Sequence, residues 1–254
     1  MSDSLSALVD RQFGPRAGDY VRSATHAGGP DLDHIERIAR EHRGASVLDL
    51  GCGGGHVAYR MAPFVREVVA LDLSPAMLAA VGAEAARRGL SGIRTEIGAA
   101  ESLPFADATF DLLVSRFSAH HWRDLGAGLR EARRVLQPAG LALFVDVVAP
   151  ADPLLDTHLQ AVELLRDPSH VRDYRTAEWV AALGAAGFAV VAMAGHRLTL
   201  DFAAWVGRMA TPPAHVDAIR SVQAGAAAPV RAAFAVAADG SFAVDVATFE
   251  CCPA

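Results

Sequence analysis

The residues whose types and spacing can do chemistry begin with a glycine-rich run, Asp49-Leu-Gly51-Cys-Gly53-Gly-Gly55, and a second acid further on, Asp72. Glycine tolerates backbone angles that other residues resist and carries no side chain to hold a ligand away. A bend at Gly51 and Gly53 therefore lets a ligand lie against main-chain atoms. A carboxylate at Asp72 can accept hydrogen bonds from both hydroxyls of a ribose, and it repels a 2′-phosphate. Asp49 sets a negative charge beside the bend, which suits an ammonium-bearing ligand better than a pyrophosphate. Gly53-x-Gly55-x-x-Ala58 also fits the G-x-G-x-x-A pattern of dinucleotide sites. A nicotinamide-dependent oxidoreductase is thus a rival reading, although no Tyr-x-x-x-Lys pair supports it.

A second chemical stretch is His120-His121. Histidine titrates near neutral pH, so either ring is a candidate base; the alternative is that one caps the next turn or packs beside Trp122. Tyr20 and His26 are candidates for a lid folded over the ligand, against the alternative of an ordinary surface segment. Arg166, Asp167, His170 and Arg172 form a charged group that reads as solvated surface rather than as an acceptor site. Cys52 reads as packing, since a reactive thiol needs an electropositive, exposed setting. His56 is expected to serve the start of a helix. No His or Cys cluster has zinc-ligand spacing, so no metal is expected.

These residues need a scaffold, and the chain's periodicity supplies one. Residues 31–43 carry apolar positions on one helical face. Short apolar runs follow at 46–50, 68–72, 93–97, 110–117 and 141–148, with helical stretches at 56–64, 75–88 and 124–136 between them. Ser74 before Pro75 is a helix start, and Gly89 a stop. Strands alternating with helices predict a mostly parallel sheet with helices on both faces. Open sheets of this kind hold ligands at the carboxyl ends of their strands, which is where Gly51 and Asp72 fall. Beyond residue 150 the rhythm changes. Helices are expected at 153–166, from a Thr176 cap to Gly187, at 202–209 and at 215–223. Strands at 188–193 and 241–249 bring the expected sheet to seven, the last antiparallel. The expectation is an α/β, Rossmann-like single domain over 1–254. Its ligand-binding core spans about 31–148, with a small helical cap from 1–30, 150–175 and 201–238.

Composition excludes several classes of function. The 254 residues are 52% hydrophobic and 20% charged with a net charge of -6, which argues against gripping nucleic-acid phosphates. Residues 1–10 lack the pattern of a secretory signal. No apolar run approaches the roughly 20 residues of a membrane span. Three cysteines are too few for a disulfide framework. A cytoplasmic monomer or homodimer acting on a small molecule is expected.

Five stretches in order carry a resemblance: Val47-Leu-Asp-Leu-Gly-Cys-Gly-Gly-Gly-His56, Leu71-Asp-Leu-Ser-Pro-Ala-Met-Leu78, Ala100-Glu-Ser-Leu-Pro-Phe105, Phe110-Asp-Leu-Leu-Val-Ser115 and Arg130-Glu-Ala-Arg-Arg-Val-Leu-Gln-Pro-Ala-Gly140. Over residues 44–148 the chain resembles the class I S-adenosylmethionine-dependent methyltransferases, in the branch similar to the ubiquinone and menaquinone biosynthesis enzymes. The resemblance implies S-adenosylmethionine as cofactor and S-adenosylhomocysteine as product. It implies that Gly51 and Gly53 hold the methionine part, with Asp49 supporting its ammonium and Ser115 offering a carbonyl to it. Asp72 would take the ribose hydroxyls, Leu73 and Met77 would line the adenine, and Ala100 would offer its amide to the ring. Many relatives have Asp where this chain has Ala99, so either Glu101 substitutes or packing holds the adenine. A non-catalytic module that only binds the same cofactor shares every one of these residues.

Overall fold

The computed structural model describes residues 5–21 and 27–254; His26 lies outside them. Two N-terminal helices, α1 (Leu5–Phe13) and α2 (Ala17–Val21), precede α3 (Pro30–Glu41), β1 (Ser46–Leu50), α4 (His56–Met61), β2 (Glu67–Asp72), α5 (Pro75–Arg87) and β3 (Ile93–Ile97). The chain continues through β4 (Phe110–Arg116), α6 (Leu125–Val135), β5 (Leu136–Val147), α7 (Pro153–Arg166) and α8 (Thr176–Ala185). It ends with β6 (Phe188–Leu200), α9 (Phe202–Met209), α10 (Pro213–Gly225), α11 (Ala228–Ala233) and β7 (Phe242–Pro253).

The strands form one seven-stranded sheet in the order β3-β2-β1-β4-β5-β7-β6. The first five are parallel neighbours, whereas β7 runs antiparallel to both β5 and β6. Successive side chains of a strand point to opposite faces, and both faces here are apolar. Leu48, Leu50, Val69, Leu71 and Leu113 enter one core, together with Leu129, Trp179 and Leu183 from α6 and α8. Val47, Val68, Ala70, Leu112 and Val114 enter the other, with residues of α3, α4 and α5. The central strand β1 is buried at every position, as a parallel strand covered on both sides must be.

Helix starts follow their capping residues. The Ser74 hydroxyl accepts from the Met77 N–H at 3.4 Å, and the Asp124 carboxylate accepts from Ala127 N–H at 2.9 Å. At α8 the expected cap moves by one residue. Arg175 is the cap, its N–H donating to Glu178 Oε2 at 2.8 Å, and Thr176 is the first helical residue. The helix after Gly55 is also shorter than expected, ending at Met61.

The second half differs more. β6 continues to Leu200, past the expected end at 193, because β7 pairs with it along its whole length. Residues 194–197, Ala-Gly-His-Arg, carry no strand signal of their own, so the partner strand decides their conformation. The short helix α11 was not marked by periodicity either. α7, α9, α10 and α11 share a third apolar cluster with the Phe242 end of β7, built on Leu159, Val162, Phe202, Trp205, Ile219 and Val230. These four helices thus pack as one body against the Phe242 end of β7.

Trp179 joins α8 to this sheet. Its ring stacks on Phe249 with centroids 5.3 Å apart and lies 6.0 Å from Phe144. Replacing Trp179 by Ala is expected to cost about 3–5 kcal/mol, read as a lower midpoint in urea unfolding; an unchanged midpoint would remove α8 from the core.

Candidate cofactor and active site

The bend after β1 is built from three glycines with positive φ, Gly51 at 72°, Gly53 at 47° and Gly55 at 78°. At Gly51 the requirement is also steric: a Cβ there would sit 1.9 Å from Ser118 Oγ. The bend is tied to the end of β2. The Gly51 and Cys52 N–H groups both donate to the Leu71 carbonyl at 2.9 Å. Gly53 N–H donates to Asp72 Oδ2 at 2.9 Å, and Ser74 N–H donates to Asp72 Oδ1 at 3.0 Å. The carboxylate closing one strand therefore organises the loop that leaves its neighbour.

Asp49 is buried beneath the bend, its Oδ2 accepting from Ala58 N–H at 3.0 Å. Burial pushes its carboxyl up to about 7, against the Ala58 hydrogen bond; Asp72 adds to the rise and Arg116 opposes it. Burial also raises Asp72, offset by the N–H groups of Ser74, Gly53 and Leu73. The Cys52 thiol is buried beside both acids, and burial first, then their charge, pushes it well up. That setting is in keeping with a packing role.

A cavity of about 440 Å³ opens on this loop. One wall is formed by Asp49, Gly51, Gly53, Asp72, Leu73 and Met77; a second by Gly98, Ala100 and Glu101. The third carries Arg116, Phe117, Ser118, His121 and Trp122. Val9, Phe13 and Tyr20 cover it from the N-terminal segment.

The family model described as Methyltransferase domain matches residues 48–144. The uncharacterized protein YafE of Escherichia coli (strain K12) is 47% identical over 196 residues, 77% of this chain and 95% of that protein. The uncharacterized methyltransferase YcgJ of Bacillus subtilis (strain 168) is 37% identical over 203 residues, 79% of each chain. The crystal structure of YcgJ superimposes with a TM-score of 0.81, covering 87% of this chain and 97% of that one at 33% identity. The chain belongs to this methyltransferase family. The ubiquinone/menaquinone biosynthesis C-methyltransferase UbiE of Rubrivivax gelatinosus (strain NBRC 100245 / IL144) is 36% identical over 115 residues, 45% of this chain and 44% of that enzyme.

Within this methyltransferase, most residues singled out from the sequence meet in the one cavity: Asp49, Gly51, Gly53, Asp72, Leu73, Met77, Ala100, Glu101, His121 and Tyr20 all line it. Ser115 does not. It is buried one residue short of the end of β4, and Arg116, Phe117 and Ser118 form the wall instead. His120 is not on the lining either. Its Nδ1 lies 2.7 Å from Asp146 Oδ1. Burial alone would lower the His120 imidazole, but Asp146, with Asp173 and Glu163 beyond it, outweighs that and pushes it up to about 9. Burial and the neighbouring His120 push His121 down to about 4. Glu101 lines the cavity, yet its Oε1 accepts from the N–H groups of Arg123 and Asp124 at 2.8 and 3.4 Å.

Two expectations about side chains change. His56 does not satisfy the start of α4; its Nε2 lies 2.8 Å from the Tyr20 carbonyl and ties the N-terminal segment to the loop. The charged group after α7 is not solvated surface. Asp167, His170 and the adjacent Asp173 are buried, because the segment folds back under β4, where Val171 and Arg172 N–H groups donate to the His120 carbonyl at 2.8 and 3.2 Å. Sequence reasoning missed Phe13, whose ring meets His121 at 5.1 Å. It also missed Arg116, buried against Asp31. The arginine at the end of a strand was the available signal for the second; nothing local marked the first.

Tyr20 is buried, with its hydroxyl donating to Met209 Sδ at 2.8 Å. A Cβ on Gly54 would meet the Tyr20 carbonyl oxygen at 2.6 Å. Gly54→Ala is therefore expected to lift α2 off the loop and speed tryptic cleavage after Arg16 while the sheet stays folded. Unchanged cleavage would show that this contact does not hold the segment.

Proposed function

We propose that this methyltransferase binds S-adenosylmethionine in the cavity above the glycine bend and transfers its methyl group to a small, partly apolar acceptor, leaving S-adenosylhomocysteine. The observation that carries the reading is the convergence of the bend at Gly51 and Gly53 with the Asp72 carboxylate on one cavity. The residues present fit such a donor. Asp72 still has acceptor capacity for ribose hydroxyls, and Asp49 is a buried carboxyl whose ionised form needs a cation. Leu73, Met77 and Ala100 give an apolar wall for adenine, so packing substitutes for the missing acid at Ala99 while Glu101 holds the 123–124 turn. A dinucleotide would bring a pyrophosphate up to two carboxyl groups.

When bound, that donor supplies an electrophilic methyl on a sulfonium. The chain's task is then to position the acceptor and keep water out. Phe13, Tyr20, Phe117 and Trp122 offer an apolar, aromatic surface for it. Tyr20 and His121 are the polar groups best placed to meet an acceptor; His120 acts behind His121 rather than on the acceptor itself. Three free cysteines support a reducing, cytoplasmic setting, in which the chain works as one domain, a monomer or homodimer. Among the described residues, no helix is long and apolar enough to cross a membrane.

Calorimetry with S-adenosylmethionine, S-adenosylhomocysteine and NADH tests the assignment. Saturable heat from the first two and none from NADH is expected; no heat at millimolar donor would end it. Asp72→Ala should weaken donor binding by about 1–3 kcal/mol, and unchanged affinity in a folded variant would exclude the ribose role.

Asp49 yields a pH dependence. Its carboxyl rises to about 7 without ligand, so it is mostly protonated at pH 6. Through this group the unliganded fold loses stability as pH climbs from the ordinary carboxylate range through 7. A bound ammonium prefers the ionised carboxylate, so affinity should move the other way. S-adenosylhomocysteine should bind up to about tenfold tighter at pH 7.5 than at pH 6, whereas 5′-methylthioadenosine, which lacks the ammonium, should not. Equal slopes for the two ligands would remove Asp49 from the ammonium site.

A further inference from the structure

Beside His121, three side chains from distant parts of the chain meet. His120 lies on the single 3-10 turn Ala119–His121 that follows β4, Asp146 near the end of β5, and Asp173 between α7 and α8. Each offers one nitrogen or oxygen atom, and these atoms all lie within 4.8 Å of one another. Asp146 and Asp173 are each 2% exposed. Asp173 Oδ2 is buried without a hydrogen-bond partner. Its nearest basic neighbour, His170 Nε2, is 3.9 Å away and already 3.1 Å from Gln160 Oε1.

Buried carboxylates need a counter-charge or a proton. Among the described residues, no arginine forms an ion pair with Asp146 or Asp173. Arg172 and Arg175 go to Asp156, and Arg166 to Glu163. His120 alone stands between the two acids. Its backbone is held in place on both sides, the N–H by Asp146 Oδ2 at 3.3 Å and the carbonyl by Val171 and Arg172. The cluster is thus preformed, and one of its oxygens is unspent.

We propose that His120, Asp146 and Asp173 form a site for one first-row divalent cation of the Mn2+ or Zn2+ kind, which fastens the segment after α7 to the ends of β4 and β5. One imidazole nitrogen with two carboxylate oxygens is a hard-to-borderline donor set. It suits these ions better than Ca2+, which takes six to eight oxygens, or thiolate-seeking metals. The ligands come from three separate regions, so no sequence spacing announces them. The proposal does not depend on the methyl donor.

The test uses the full chain, stripped with EDTA and dialysed. Calorimetry and thermal unfolding are followed with MnCl2 and ZnCl2, and with CaCl2 for comparison. One ion of Mn2+ or Zn2+ per chain is expected to bind at micromolar concentration and raise the melting temperature. Asp173→Asn should weaken binding more than about tenfold, while Asp217→Asn, at an exposed acid on α10, should not. Co2+ loaded into the unaltered protein gives a readout that survives a variant failing to fold. Visible bands of nitrogen and oxygen ligation, with a perturbed His120 ring resonance, are expected. Absence of saturable binding, unchanged binding in Asp173→Asn, or a thiolate charge-transfer band from the cysteines would each overturn the proposal.

Discussion

The Asp72 carboxylate holds the glycine bend to the start of α5. It accepts Gly53 N–H through one oxygen and Ser74 N–H through the other, so the loop leaving β1 and the helix following β2 share one anchor. A loop with three glycines in left-handed backbone states would otherwise lose much of its order to conformational entropy. Asp72 also lines the cavity, so one group both shapes the loop and borders the space above it. The arrangement costs stability, because Asp49 and Asp72 are buried near each other and burial raises both. Functional sites commonly carry strain of this kind, held by the surrounding fold.

The N-terminal segment passes this order to the cap. The Tyr20 carbonyl meets His56 and its hydroxyl meets Met209. Through Tyr20 the segment thus touches both the start of α4, next to the glycine loop, and α9. α9 in turn packs through Trp205 and Phe202 into the cluster shared with α7, α10 and α11. A cavity bounded by a rigid sheet edge on one side and this strap on the other is chemically divided. Main-chain and carboxyl groups line the floor, and aromatic rings line the roof.

The segment after α7 closes the space behind that roof. Asp167 Oδ1 accepts from both the N–H and the hydroxyl of Ser169, at 2.8 and 2.6 Å. Arg166 donates to the Trp205 carbonyl at 3.1 Å. Charged groups that look like surface in the sequence are thus internal ties within the cap. Burial and close charges, rather than identity, set their properties: burial lowers both adjacent histidines, but Asp146 outweighs it at His120, whereas at His121 the neighbouring His120 adds to it.

The chain's local order was enough for the core. Alternating strands and helices up to residue 148, the Ser74 cap, and the places of Gly51 and Asp72 at the carboxyl ends of β1 and β2 are short-range signals, because each strand and its following turn are contiguous in sequence. Tertiary structure alone decided the rest. The final stretch of β6 exists because β7 lies beside it, Ser115 yields the cavity wall to Arg116 and Ser118 because of where β4 ends, and His56 turns to Tyr20 because α2 folds across it. The meeting of His120, Asp146 and Asp173 belongs to the same class. Contacts between distant segments depend on packing and desolvation, which leave no periodic trace in any one segment.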